Sequence, residues 1–75
     1  MKTTRSLSLH GHRTSVALEP EFWAIIDEVV EREGCSMAGL VQRIDDQRLA
    51  DGLEIGLASY IRVWCVRELR ARLEP

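Results

Sequence analysis

The chain lacks most of what a chemical centre or a membrane anchor would require. No apolar run approaches the roughly 20 residues needed to span a bilayer, so a membrane-embedded protein is not expected. The basic start at Lys2 and Arg5 is followed by Ser6 to His10, a stretch too short and too polar for a signal-peptide core. A cytoplasmic protein is therefore the expectation. Only two cysteines occur, Cys35 and Cys65, with no metal-type spacing between them. A reducing compartment argues against a structural disulfide, which leaves two packing thiols. His10 and His12 make a His-x-His pair, but two ligands without a third nearby do not form a metal site, and no cofactor is expected. Ser15 and Ser36 lack the positioned base and oxyanion site that a nucleophile needs, so catalysis is not expected either. There is no internal repeat and no low-complexity tract.

What the chain does have is enough for one small domain. Its 75 residues are 45% apolar, an ordinary globular fraction. A core of this size is only marginally stable alone, which favours oligomerisation. The net charge of −2 is unevenly placed. Residues 1–18 hold Lys2, Arg5 and Arg13 and no acid, giving +3; the remainder holds seven Arg against twelve Asp and Glu, giving −5. A basic segment on an acidic body keeps nucleic-acid binding open.

Residues 1–12 read as a basic N-terminal arm. Within it, Ser6-Leu7-Ser8-Leu9 alternates for two cycles before His10-Gly11-His12 interrupts. Either this is a strand that turns at Gly11 and pairs with the next run, or it is a loose arm. The second reading is preferred, because His-Gly-His is not among the strongly favoured two-residue hairpin turns. Residues 13–18, Arg-Thr-Ser-Val-Ala-Leu, form a clear strand with Thr14, Val16 and Leu18 on one face and Arg13, Ser15 and Ala17 on the other. An isolated strand with one apolar face needs a partner.

A first helix is predicted over about residues 20–33. Pro20 suits its first turn, Phe22, Ile25, Ile26, Val29 and Val30 form the apolar stripe, and Gly34 supplies a left-handed stop. Trp23 falls at the edge of that stripe. Ser36 reads as the N-cap of a second helix carrying Met37, Leu40, Val41 and Ile44, which ends near residues 46–49. Gly39 inside it suggests close approach of another backbone. Asp51 to Gly56 is the connection, anchored by Leu53 and Ile55. A third helix over about residues 57–73 has the stripe Leu57, Ile61, Trp64, Cys65 and Leu69, widened by Tyr60, Val63 and Val66. Trp64 and Tyr60 are more readily core or interface residues than a nucleic-acid stacking platform. The domain plan is thus an arm (1–12), a core (13–50) and a connection with a C-terminal helix (51–75).

Strand, helix, short glycine-containing turn and helix, over residues 13–46, resemble the ribbon-helix-helix family of Arc/MetJ-like bacterial repressors. The residues that carry the likeness are the run Thr14 to Leu18 with Pro20, the stripe from Phe22 to Val30, and Gly34-Cys35-Ser36 with Met37 and Leu40. The phrase from Leu9 to Val16 and the third helix further resemble a predicted subgroup of that family. The resemblance implies a mainly α homodimer in which two copies of the strand pair into an antiparallel ribbon. That ribbon would enter the DNA major groove. Thr14, Val16, Leu18, Phe22, Ile26, Leu40 and Ile44 would then form the dimer core, and Arg13, Ser15 and Ala17 would face the bases. Lys2, Arg5 and the start of the second helix at Ser36 and Met37 would hold phosphates. The implied function is a DNA-binding transcriptional regulator. An outward alanine at 17 and the acidic body support an alternative: a dimerisation module that binds a protein partner through the C-terminal helix instead of DNA.

Overall fold

The computed structural model describes residues 1–52 and 54–75; the expected anchoring role of Leu53 lies outside them. Two strands and three helices follow one another: β1 (Thr3–Leu9), β2 (His12–Leu18), α1 (Pro20–Glu33), α2 (Met37–Ala50) and α3 (Leu57–Arg72). The helices pack beneath a two-stranded antiparallel sheet.

The largest departure from expectation is at the N-terminus. Residues 3–9 are not an arm but a regular strand, paired along its full length with β2 from Thr3 opposite Leu18 to Leu9 opposite His12. The loop between them is only His10-Gly11, and both residues have positive φ, 51° and 80°. That is the mirror-image turn whose twist matches a hairpin. Gly11 adopts it freely, and histidine is among the residues that tolerate the left-handed region best. The strand is held by more than its ladder. Leu7 and Leu9 are buried in the core, and the Trp23 indole N–H donates to the Thr3 carbonyl at 2.7 Å.

The helices match their expected spans closely, because their ends carry local signals. Pro20 opens α1, and Gly34 closes it at φ 66° with its N–H on the Val30 carbonyl. The Ser36 hydroxyl accepts from the Gly39 N–H at 2.9 Å and caps α2. Gly39 therefore serves a different purpose from the close backbone contact expected of it. A Cβ at this position would meet Ser36 Oγ at 2.8 Å, so the glycine makes room for the cap.

Leu18, Ile26, Val29, Leu40, Val41, Ile44, Ile61 and Cys65 are fully buried at the centre of the domain. On α1 the buried face is turned toward Trp23, which is only 2% exposed, while Phe22, Ile25 and Val30 lie at the margin. β1 meets the helix at Trp23, where Thr3 accepts from the indole and Arg5 lies over the ring. Tyr60 is also in the core, its hydroxyl donating to Asp51 Oδ2 at 2.7 Å. Burial pushes the Cys65 thiol up to about 11, so it is a packing thiol; Cys35 is half-buried and also free.

The expected dimer core is filled within one chain. Val16, Leu18, Ile26, Leu40 and Ile44 are buried against their own neighbours, and Thr14 and Phe22 are half-buried. The second strand and the third helix supply the cover that a symmetry-related copy would otherwise provide. No helix of the described residues is long and apolar enough to cross a membrane.

Candidate nucleic-acid interface

The hairpin has two chemically distinct faces, set by the alternation of strand side chains. Leu7, Leu9, Val16 and Leu18 point to the helices. The opposite face is built from three cross-strand pairs: Thr4 with Ala17, Ser6 with Ser15, and Ser8 with Arg13. All are exposed except Ala17, which is half-buried. The outer face thus presents four hydroxyls, one methyl and one guanidinium, with no carboxylate among them. Arg13, Ser15 and Ala17 lie on it together, in line with their alternation in sequence. Thr4, Ser6 and Ser8 share it and were missed, because the first strand was read as an arm. In the sequence only Ser6 to Leu9 alternate between polar and apolar; Thr3, Thr4 and Arg5 are polar in succession, so nothing there marks Thr4 as outward.

Arg13 has no salt-bridge partner among the described residues, whereas most other arginines are engaged. Arg5 is one of these, and the structure does not leave it free on an arm. It shares the inner face with Val16, and its guanidinium reaches Asp27 with two hydrogen bonds of 2.8 and 3.1 Å. It also stacks over the Trp23 ring at 4.5 Å. The same contact holds the Asp27 carboxyl below its usual range. Arg5 clamps β1 to α1 and is a poor candidate for a phosphate contact. Lys2 precedes the strand and is exposed.

Several carboxylates of the acidic body are held in such pairs. Glu19 meets Arg62 at 2.9 Å, Glu28 meets Arg72 at 2.8 Å, and Glu33 meets Arg43 at 2.9 Å. Glu68 joins Arg32 and Arg72. These pairs leave the net charge of the body unchanged, and the Arg5–Asp27 pair holds one of the three cations of residues 1–18 against α1.

The hairpin tip is fixed to α2. The His10 N–H donates to Gln42 Oε1 at 3.0 Å, and His10 Nε2 lies 3.1 Å from Asp46 Oδ1 and 3.6 Å from Asp45 Oδ2. These contacts fall beyond the first turn of α2. At the start of that helix Ser36 is exposed and Met37 half-buried, and the first turn carries no acid. The cap uses the Gly39 N–H, which leaves the Met37 and Ala38 amides without intrahelical partners. Among the described residues no group of three or more His, Cys, Asp and Glu has the arrangement to hold a metal.

The chain matches the family model described as "Ribbon-helix-helix domain" over residues 2–69. The chain belongs to the ribbon-helix-helix domain family. Ribbon-helix-helix domains are typically dimeric, DNA-binding transcription regulators, and the fold is regulatory and not enzymatic. The match begins at residue 2 and so takes in β1, as the structure does. Among solved structures the chain is similar to an uncharacterized protein from Bordetella pertussis Tohama I, with 34% identity and a TM-score of 0.82. The alignment covers 97% of this ribbon-helix-helix chain and 59% of the other, so the chain spans little more than half of that relative. No curated protein matches.

Proposed function

We propose that this ribbon-helix-helix protein is a cytoplasmic transcriptional repressor that acts as a homodimer and places its hairpin in the major groove of double-stranded DNA. The observation that carries this reading is the outer face of the ribbon: exposed, hydroxyl-rich, free of carboxylates and marked by an arginine with no salt-bridge partner among the described residues. Two strands about 4.8 Å apart fit a groove about 12 Å wide. Arg13 can donate two hydrogen bonds to a guanine edge, Ser15 can donate or accept, and Ala17 can contact a thymine methyl. Lys2 and the free amides at Met37 and Ala38, with Ser36 beside them, suit phosphates.

Self-association is assigned to α3. Its outward side exposes Val63, Val66, Leu69 and Leu73, with Arg62, Arg67 and Arg70 flanking the two valines. The core is closed without a second copy, so a dimer joined through α3 keeps both hairpins free.

A labelled duplex from upstream of the protein's own coding sequence, titrated by fluorescence anisotropy at two salt concentrations, tests the reading. Binding is expected to weaken with salt, and Arg13→Ala is expected to remove about 1–3 kcal/mol. Lys2→Ala should weaken all sequences alike. Absence of binding at low salt sinks the proposal. The same apolar face of α3 supports a second reading, a module that docks a protein partner and not DNA. In that case Val66→Asp abolishes the partner complex while Arg13→Ala is silent.

A further inference from the structure

The register of the hairpin contains an approximate two-fold relation. Ser6 lies opposite Ser15, and an axis through that pair, normal to the sheet, carries each residue of β1 onto one of β2 running the other way. It superposes Ser6-Leu7-Ser8-Leu9 on Ser15-Val16-Ala17-Leu18. On the inner face the operation puts Leu7 on Val16 and Leu9 on Leu18, and it fails at Arg5 on Thr14 and Thr3 on His12. The outer face keeps the symmetry at its centre, where serine meets serine. It departs slightly at Ser8 and Ala17, and breaks outright at Thr4 and Arg13. One end of the ribbon has a guanidinium where the other has a short hydroxyl.

From this we infer that β1 is a second reading strand, with Thr4, Ser6 and Ser8 facing the bases, and that each hairpin recognises a non-palindromic sequence with its guanine contact at the Arg13 end alone. The inference rests on the DNA reading proposed above and adds to it the polarity of the site. A ribbon made from two identical strands would carry the same residue at both ends and would read an inverted repeat centred inside its own footprint. This ribbon comes from one chain, so nothing forces that symmetry. Pairing a second copy through the free edge of β2 would not restore it in the groove. A four-stranded sheet spans about 14 Å between its outer strand axes, more than the groove width of about 12 Å. A homodimer therefore repeats the asymmetric sequence at two separate places, with its symmetry axis between the two footprints.

The spacing follows from the backbone. Outward residues recur every second position, about 6.8 Å apart, which is two base-pair steps of about 3.4 Å. The Ser8–Arg13 pair and the Thr4–Ala17 pair thus address base pairs about four steps apart.

A duplex library with a randomised central block, selected with the purified full-length chain, decides the matter. The wild-type protein is expected to enrich one guanine per hairpin, the one whose preference Arg13→Ala relaxes roughly tenfold. Thr4→Arg, at an exposed position, is expected to add a second guanine preference about four base pairs away on the opposite strand. The double exchange Thr4→Arg with Arg13→Thr keeps the composition and should move the guanine to that second position. Circular dichroism confirms that each variant is folded. Should Arg13→Ala act while Thr4→Arg adds no second guanine and the exchange loses the first guanine without gaining another, β1 does not read bases and the inference is overturned, though the hairpin remains the DNA-binding element. A wild-type sequence palindromic about the centre of a single footprint overturns it as well. If no duplex is enriched at low salt, the DNA reading itself fails and the inference falls with it.

Discussion

β1 and β2 are of equal length and near-identical alternation, yet they are tied to the rest of the molecule differently. β1 is clamped: its Thr3 carbonyl takes the Trp23 indole, and its Arg5 guanidinium takes Asp27 and the face of the same ring. β2 has fewer such polar ties. Val16 and Leu18 are among the most buried residues of the protein, and its one arginine has no partner among the described residues. One strand is fastened by named polar contacts to α1, and the other by burial, leaving its charged side chain free. In a two-stranded ribbon this division gives rigidity without consuming the outward face.

The severest test of the comparison is to hollow out each strand in turn. Leu18→Ala and Leu9→Ala are both expected to destabilise the fold by about 2–5 kcal/mol in chemical denaturation, since both side chains are buried. A near-neutral Leu9→Ala would return β1 to the status of an arm. A smaller loss is expected at the turn. Gly11 has φ 80°, and Gly11→Ala should cost about 1–2 kcal/mol in thermal or chemical unfolding, because a Cβ disfavours the left-handed region. Arg5→Ala removes an ion pair that is only partly sheltered together with a cation–π contact, and about 1 kcal/mol is expected after allowing for solvent screening.

The clamp also has a pH signature. Hydrogen bonding to Arg5 lowers the Asp27 carboxyl, and Arg43 and Arg32 do the same for Glu33 and Glu68. A carboxyl whose folded value lies below its unfolded one contributes stability above the unfolded value. That contribution is lost as pH falls through the folded value. The melting temperature should thus drop as pH is taken below the ordinary carboxylate range of about 4. In Arg5→Ala the part of this drop that belongs to Asp27 should be missing. The smallest effect is expected at Arg13: Arg13→Ala should change stability by less than about 0.5 kcal/mol while removing DNA affinity.

The helices were legible in the sequence almost residue by residue, because α1 and α2 are marked at their ends by Pro20, Gly34 and Ser36 and all three are filled by a periodic stripe. The division of β2 into Thr14, Val16 and Leu18 inside and Arg13, Ser15 and Ala17 outside was equally plain. What did not show was β1. The turn was judged by how often His-Gly is used, whereas the deciding facts were non-local: two buried leucines, and a tryptophan twenty residues on that donates to the strand's first carbonyl. The same omission hid half of the outer face and misassigned Arg5 as a free cation. It also placed Trp23 at the margin when it is in the core. Missing one strand shifted the core from between two chains to within one.

That the ribbon closes through His10-Gly11 changes how the protein comes to life in the cell. A ribbon assembled from two polypeptides forms by collision, at a rate that falls as the square of their concentration. Here the two strands are joined by a two-residue loop and pair in a unimolecular step, and isolated hairpins of this kind close in roughly 1–10 μs. The ribbon can thus be in place when only a few copies of the protein exist, ahead of any assembly of two chains.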